Sequence, residues 1–276
     1  MSHFLTLALV DRDAVKERFG TIDLDDPQAR EFIEDKVNAL LAPYDGNIEA
    51  EPYETECSCV NFIAVVHGRK KAEEVKQMAV LRNEYHSLTP DDRPEWEDFT
   101  KEWEEIADHE TKAHPLYMKP NPNCEECHGA GKVKTTYNPK SKWDWWAIGG
   151  RWTGYISGYD PSKDPDNIET CDLCGGTGMR TDMEIPNGCN GCDGKGQSLK
   201  WPTQWKRHNG DMRLLSAIKK EIDVFAIVTP DGEWHEAGEM GWFAIVSNEN
   251  AQWPEKQKAL IEKYKDCIVV ACDMHV

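Results

Sequence analysis

Six of the ten cysteines in this chain fall into one repeated motif, Cys-x-x-Cys-x-Gly-x-Gly. The copies occupy residues 124–131, 171–178 and 189–196. A Cys-x-x-Cys turn delivers two thiolates to one ion. The glycines two and four places later let the chain curl at positive φ and leave backbone N–H groups free to point at sulfur. Cysteine pairs of this kind are typical of zinc sites, so the motif predicts metal binding.

The second and third copies together read Cys-x2-Cys-x14-Cys-x2-Cys, which is close to the spacing of known structural zinc sites. A tetrahedral zinc ion needs four ligands, and these two copies supply four thiolates. We therefore predict that one zinc ion is bound by four cysteines, Cys171, Cys174, Cys189 and Cys192.

The first copy supplies only Cys124 and Cys127, so a metal ion there needs two further ligands. Candidates for these ligands are Cys57 and Cys59, His128 or His114. Alternatively, the first copy pairs with the third, and the middle copy then needs other partners. The sequence thus predicts a second zinc ion only if two further residues complete the ligand set of Cys124 and Cys127.

The repeats resemble the cysteine-rich zinc region of DnaJ-type co-chaperones, which carries four copies and two zinc ions. The resemblance covers residues 124–196 and implies structural zinc and a polypeptide-binding surface. The remainder departs from that family, because His114-Pro115 is followed by Leu116 where a J-domain has His-Pro-Asp. Residues 137–146 and 148–152 also resemble uncharacterised bacteriophage and prophage proteins, and that resemblance implies no activity.

A second group of side chains suited to a ligand lies between the first two cysteine pairs. Aromatic faces stack on flat rings or cations, and an arginine grips a phosphate or carboxylate with two N–H groups. The candidates are Trp143, Asp144, Trp145, Trp146, Gly149, Gly150, Arg151 and Trp152. The alternative is that the tryptophans fill the gap between a zinc module and a core, with Arg151 paired to Asp144.

Candidate catalytic groups lie near the C-terminal end of the chain. His235 and Glu239 have the chemistry of a general acid/base pair or of metal ligands, and Asp273 and His275 could join them from the last strand. A histidine on a hairpin is more often a hydrogen-bonded structural residue. Neither Gly-x-Ser-x-Gly nor His-Glu-x-x-His occurs, so the sequence leaves open whether the chain is an enzyme.

Hydrophobic patterning predicts the elements that must position these residues. Strands are predicted at 4–10, 60–67, 224–228, 242–246 and 267–271, and helices at 26–41, 70–87, from 94, 214–222 and 254–265. Residues 120–200 lack apolar runs and need another source of stability. We predict an α+β fold with a mixed or antiparallel sheet, packed helices and an inserted Cys/Gly-rich zinc module. Its parts are residues 1–119 and 201–276, which form one core, and the module 120–200.

The composition restricts the partners. The 276 residues are 39% hydrophobic, enough for a full core, and carry a formal charge of −18. Each all-cysteine zinc site adds a net −2, so nucleic acid is a poor partner. Without an apolar segment of membrane-spanning length or a secretory signal, we expect no membrane contact and a cytoplasmic location, the host's if the protein is phage-encoded.

Two functional hypotheses follow from these residues. The first is a zinc-stabilised acidic interaction protein, phage-encoded and acting on a host protein through a Trp-rich surface. The second is an enzyme or a binder of a small nucleotide-like ligand that uses Arg151, Trp146, His235 and Glu239. A pocket uniting Arg151 with His235 would favour the second, and an exposed tryptophan patch would favour the first.

Overall fold

The computed structural model describes residues 2–89, 92–180, 182, 187–205, 211–241 and 245–276. Their helices are α1 (Arg12–Phe19), α2 (Pro27–Leu41), α3 (Phe62–Val75), α4 (Met78–Ser87), α5 (Trp96–Ala113) and α6 (Trp253–Lys263). Their strands are β1 (His3–Val10), β2 (Tyr53–Glu56), β3 (Lys132–Thr135), β4 (Trp145–Ile148), β5 (Ile168–Thr170), β6 (Met179–Arg180), β7 (Asn187–Gly188), β8 (Gln197–Leu199), β9 (Met212–Leu214), β10 (Ala226–Val228), β11 (Trp234–Glu236), β12 (Glu239–Met240), β13 (Val246–Ser247) and β14 (Ile268–His275).

The chain forms two compact units. The sheet unit consists of Met1–Glu49 and Tyr137–Val276, and the helical unit consists of Ala50–Thr136. This division differs from the predicted boundaries 1–119, 120–200 and 201–276. The composition changes at residue 120, but β4 inside the Cys/Gly-rich stretch is a strand of the main sheet. The stretch is therefore shared between the two units.

The sheet unit is built on a mixed sheet with the strand order β11-β10-β1-β14-β4. β1 runs antiparallel to β14 from His3 opposite His275 to Val10 opposite Ile268, and parallel to β10 on its other side. β9 and β4 pair with successive parts of β14. Helices with a mixed sheet confirm the predicted α+β class.

The two faces of this sheet belong to different hydrophobic clusters. Phe4 and Ala8 of β1 pack in a cluster that contains Ile33 of α2. Leu7, which points to the other face, packs in a cluster that contains Leu260 of α6. Since successive side chains of a strand alternate between faces, burial on both sides explains the nearly continuous apolar sequence of β1.

Some predicted elements are confirmed and others are wrong. The helix predicted at 26–41 is confirmed as α2, and the Asp26 side chain accepts a hydrogen bond from the N–H of Gln28 at its start. The strand predicted at 60–67 is wrong, because this short apolar run enters α3 and its pattern does not separate helix from strand. The helix predicted at 214–222 is also wrong. A single 3₁₀ turn, Leu215–Ala217, follows β9, and Ile222 lies in a loop with its side chain buried.

Two further predicted strands have a different outcome. The last strand is confirmed and extends further than predicted, to His275. Of the strand predicted at 242–246, residues 242–244 lie outside the described residues, and Val246 belongs to β13. Among the helices of the described residues, none combines the length and the apolar character needed to span a bilayer.

The helical unit packs α3 against α5 at close range. A Cβ at Gly68 of α3 would overlap the Ala107 carbonyl and the Thr111 side chain of α5, so glycine is needed at this crossing. The unit's buried apolar cluster is small and contains Trp103. β2 and β3 pair antiparallel from Tyr53–Thr135 to Glu56–Lys132 and bring the two ends of the unit together.

Candidate metal centres

The four cysteines predicted to bind one zinc ion lie together in the sheet unit. We call this group, Cys171, Cys174, Cys189 and Cys192, the paired centre. All four Sγ atoms lie within 4.8 Å of one another, and the Cys171–Cys189 and Cys174–Cys192 distances are both 3.8 Å. A tetrahedral zinc ion with Zn–S bonds of about 2.3 Å separates its sulfur atoms by about 3.8 Å, whereas a disulfide joins them at about 2 Å. The geometry therefore fits a four-coordinate metal ion.

Short strands hold the two copies of the motif in the paired centre against each other. β5 leads into Cys171 and Gly178 leads into β6, while β7 leads into Cys189 and Gly196 leads into β8. The N–H of Cys171 donates to the Gly196 carbonyl at 3.0 Å, and the N–H of Cys189 donates to the Gly178 carbonyl at 2.8 Å. Each copy thus positions the other through equivalent hydrogen bonds.

A second group of four cysteines lies in the helical unit. We call it, Cys57, Cys59, Cys124 and Cys127, the split centre. Its sulfur atoms lie 3.7 Å apart for Cys57–Cys124 and 3.4 Å apart for Cys59–Cys127. The N–H of Cys57 donates to the Gly131 carbonyl at 3.0 Å, as Cys171 does to Gly196 in the paired centre.

The split centre settles which residues accompany the first copy of the motif. Cys57 and Cys59 do so, while the third copy lies with the second in the paired centre. His114 instead accepts the N–H of Leu116 on its Nδ1 atom. The sequence had offered these alternatives with equal weight, because a Cys-x-Cys pair alone does not show which strand brings it to its partners.

The motif glycines act as predicted. In each copy the N–H of the second glycine donates to the second cysteine's sulfur, at 3.3 Å for Gly131–Cys127, 3.3 Å for Gly178–Cys174 and 3.2 Å for Gly196–Cys192. The motif glycines adopt φ values between 73° and 85°, a region that side chains disfavour. The loops thus present hydrogen-bond donors to the thiolates that would bind the metal.

These donors change the acidity of the thiols. Burial works to raise the pKa of Cys127, but the Gly131 N–H and the neighbouring thiols lower it to about 7. In the same way, burial opposes but the N–H groups of Gly178 and Gly176 lower the pKa of Cys174 to about 7. Burial raises the pKa of Cys171 to about 11 and also raises the pKa of Cys59, so the shifts within each centre have opposite directions. In each centre one thiol ionises near neutral pH, and the thiolate is the metal ligand.

The tryptophans predicted to form a ligand site mostly contribute to the core. Trp143 is buried, and Trp146 packs with it in the cluster on the α2 face of the sheet. Trp152 packs against the cluster on the α6 face, so the indoles expected to flank Arg151 lie against opposite faces. Trp145 remains exposed, with its ring edge against His3.

Two buried carboxylates fix the turn that carries Arg151. The Arg151 N–H donates to Asp273 at 2.9 Å, and the Gly154 N–H donates to Asp211 at 2.7 Å. A Cβ at Gly150 would overlap the Asp273 carboxylate, so the glycines predicted to admit a ligand admit a carboxylate of this chain instead. The alternative pairing of Arg151 with Asp144 is not observed, because Asp144 pairs with His275.

Two strands, β10 and β1, separate His235 on β11 from Asp273 and His275 on β14. His235 lies in β11 opposite Ile227, and burial lowers its pKa. Glu239 lies in β12 and accepts a hydrogen bond from the Asn248 amide at 2.8 Å. Trp242, next to this cluster in the sequence, lies outside the described residues.

Asp273 and His275 instead meet residues of neighbouring strands at the end of β14. The Asp273 carboxylate contacts Nδ1 of His3 at 2.8 Å, and the rings of His3 and His275 lie edge to face with centroids 5.0 Å apart. Asp273 and His275 are therefore not brought to His235, and a joint role of the predicted residues stays a prediction. Antiparallel pairing with β1 places them beside the N-terminus, a long-range contact that local sequence patterns do not reveal.

Comparisons of the chain with family models, with curated proteins and with solved structures gave no match. The resemblances of the sequence to DnaJ-type repeats and to phage proteins therefore stay predictions. What can be assigned comes from the two centres and from the side chains around them.

Proposed function

We propose that this protein is a zinc-stabilised interaction protein in which two structural Zn²⁺ ions hold the loops of the paired and split centres. The observation that carries this proposal is the sulfur–sulfur spacing of 3.7–3.8 Å, found for Cys57–Cys124 in one centre and for both cross-pairs in the other. Four thiolates complete a tetrahedral zinc site and leave no position for a water or substrate, so the ions are structural and not catalytic.

Exposed apolar side chains beside the paired centre support an interaction role. Leu173 lies inside one Cys-x-x-Cys turn and is 47% exposed, and Met179 follows the same motif and is 44% exposed. We call these two residues the knuckle surface. Metal-held loops keep such side chains in a fixed arrangement that an unsupported loop could not maintain. The partner we propose is an apolar segment of another polypeptide, a host protein if the chain is phage-encoded.

The alternative of an enzyme has weaker support. The cavity that Arg151 lines does not include His235, and β10 and β1 separate His235 from Asp273 and His275. An acid/base mechanism needs its groups within hydrogen-bond reach of one substrate. This separation favours binding over catalysis.

Metal analysis tests the zinc part of the proposal. Protein purified without added metal should contain two zinc ions per chain by elemental analysis and native mass spectrometry. In that state the cysteines of both centres should resist alkylation, because zinc-bound thiolates are buried and coordinated. A metal-free protein whose eight centre cysteines alkylate freely under native conditions would contradict it.

Binding of a permanently unfolded polypeptide tests the interaction part. Reduced, carboxymethylated α-lactalbumin serves as the probe, and fluorescence anisotropy measures its affinity. Leu173→Ser with Met179→Ser should weaken binding about tenfold, the loss expected for exposed apolar anchors. Ile48→Ser with Val75→Ser, which removes exposed apolar side chains elsewhere, is the matched control and should bind normally. Full zinc content without probe binding would refute the interaction part alone.

A further inference from the structure

A cavity in the sheet unit combines cationic and aromatic side chains. Its volume is about 460 Å³, and its lining residues are Arg151, Leu199, Lys200, Trp201, Pro202 and Trp205. Small-molecule sites typically have volumes of about 300–1,000 Å³ with apolar walls and a few convergent polar groups. The described lining residues thus include two cations, in a chain whose formal charge is −18.

Arg151 offers a guanidinium group that no described residue engages. Its side chain is exposed, and it forms no ion pair or hydrogen bond with any other described residue. Its backbone is fixed, because its N–H donates to the carboxylate of Asp273, which is only 1% exposed. A free guanidinium on a fixed turn is prepared to grip a phosphate or carboxylate with two parallel N–H groups.

Lys200 and Trp205 are held in place by hydrogen bonds to backbone carbonyls. The Trp205 indole N–H donates to the Lys200 carbonyl at 2.7 Å, and the Lys200 N–H donates to the Asn167 carbonyl at 2.8 Å. The Lys200 ammonium group donates to the backbone carbonyl of Asp166 at 2.7 Å, and it forms no ion pair with a described carboxylate. Trp201 is 67% exposed, so its indole face is available for stacking.

We propose that this cavity binds a small molecule of the mononucleotide class, a flat ring joined to a phosphate. The ring stacks on Trp201 beside Trp205, and the phosphate lies between Arg151 and Lys200. The two positive charges match the two negative charges of a phosphate monoester. A long nucleic acid is disfavoured, since its further phosphates would meet an acidic chain. This site goes beyond the proposed function, because it needs neither zinc chemistry nor a protein partner.

Calorimetric titration of the zinc-loaded protein tests the proposal, with AMP, GMP, CMP and UMP as probes. At least one mononucleotide should bind, while adenosine and inorganic phosphate, which each carry half of the recognised chemistry, should bind at least about tenfold more weakly. Arg151→Lys and Trp201→Ala should each weaken binding at least about tenfold, since the first removes the two-pronged grip and the second the stacking face.

Matched controls separate a lost contact from a damaged fold. Arg213→Lys and Tyr137→Ala change another exposed arginine and another exposed aromatic residue, and both should bind normally. Trp201→Phe retains a flat ring and should keep most of the affinity. All variants should keep the parent's zinc content and thermal unfolding midpoint.

Three results would overturn the proposal. One is no binding of any mononucleotide up to about 5 mM. Another is inorganic phosphate binding as tightly as the nucleotides. The third is unchanged affinity in both Arg151→Lys and Trp201→Ala. Because the titration uses protein with full zinc content, each of these results leaves the proposed function standing.

Discussion

The paired and split centres reach the same four-thiolate geometry through different chain connections. The paired centre joins two copies of one motif, with Cys171 and Cys189 only 18 positions apart. The split centre joins one copy to a Cys-x-Cys pair, with Cys57 and Cys124 67 positions apart. Both contain a hydrogen bond from a cysteine N–H to the carbonyl of a motif's last glycine. One copy of the motif is thus a self-contained half-site that can be completed by any strand end carrying two thiols.

The two centres also differ in what surrounds them. Cysteines form the buried cluster at each centre, and Val133 packs against the cluster of the split centre. The helical unit also has a separate apolar cluster that includes Leu81 and Trp103. By the chain-entropy relation, a cross-link over 67 positions restricts the unfolded chain by about 4 kcal/mol, and one over 18 positions by about 3 kcal/mol. Connectivity therefore separates the centres by only about 1 kcal/mol. A second difference is that α3, which begins three residues after Cys59, packs in an apolar cluster of its own.

Removal of the metal should have the largest effect. Structural zinc contributes about 10–16 kcal/mol of apparent binding free energy in small zinc-finger peptides. On treatment with a strong chelator, the strands around the paired centre, β5 to β8, should lose all hydrogen-exchange protection. The packed helices α3 and α5 should keep part of theirs, and β1 and β14 should keep nearly all.

Two hydrogen-exchange results would contradict this first prediction. Loss of protection throughout β1 and β14 would show that the sheet core depends on metal. Equal loss in β5 to β8 and in α3 and α5 would show that the apolar cluster of the helical unit provides no independent support, and the contrast between the centres would then disappear.

Single substitutions in each centre should act separately. Cys174→Ser and Cys59→Ser should each lower the zinc content from two ions to one per chain, because three thiolates do not complete a closed structural site. Hydrogen exchange should accelerate around the substituted centre and stay unchanged around the other. Accelerated exchange at residues 124–131 in Cys174→Ser would contradict the assignment and favour a site that mixes the first copy with the others.

The sequence predicted the paired centre completely and the split centre by half. A repeated motif with 14 intervening residues is a local signal, and local spacing is enough to identify four ligands. Cys57 and Cys59 reach Cys124 and Cys127 only because β2 pairs with β3, a long-range contact between short polar strands. One signal could have revealed that pairing, since Glu54 and Glu56 face Lys134 and Lys132 across the two strands.

The tryptophan cluster shows why a ligand site is harder to predict than a metal site. Trp145 and Trp146 are neighbours in the sequence but point to opposite faces, because side chains alternate along β4. The prediction grouped them with Arg151 by proximity along the chain. In the structure Arg151 shares a cavity with Trp201 and Trp205, which follow some 50 positions later. Aromatic residues carry no spacing rule comparable to that of cysteine ligands.

Alanine substitution of the last motif glycine should distinguish the centres by a smaller amount. Gly196 and Gly131 share φ = +75°, so both variants pay the same backbone strain of about 1 kcal/mol. At Gly196 an added Cβ would also overlap the Gly176 carbonyl, whereas at Gly131 it would lie 3.3 Å from the Pro120 side chain. We expect Gly196→Ala to weaken zinc binding about tenfold more than Gly131→Ala in chelator competition, a difference of about 1.4 kcal/mol.

Equal losses in the two alanine variants would mean that backbone strain alone determines the cost. The backbone of the two motif copies in the paired centre could then shift at their close approach, and the carbonyl of Gly176 could move aside without loss of the metal. Gly194→Ala is a useful third variant. Its φ is also +75°, yet an added Cβ there would lie 3.8 Å from the Gly178 carbonyl, an ordinary contact.

The smallest effect concerns a charge beside the sulfur atoms of the split centre. An oxygen of Glu126 lies 3.8 Å from Sγ of Cys57, and the equivalent position of the paired centre's first motif is Leu173. Four thiolates and one Zn²⁺ carry a net −2, whereas the metal-free site keeps protons on its thiols and is less negative. The carboxylate therefore disfavours the loaded state relative to the metal-free one. Glu126→Gln should therefore tighten zinc binding about two- to threefold, an effect kept small by solvent screening because Glu126 is exposed. Glu125→Gln removes the same charge one position earlier and is the matched control, for which we expect a smaller change. The difference should shrink in about 0.5 M salt, where the Debye length falls to about 4 Å. Weaker zinc binding in Glu126→Gln would instead show that the carboxylate supports the centre, and the two centres would then differ in ligand chemistry as well as in chain connection.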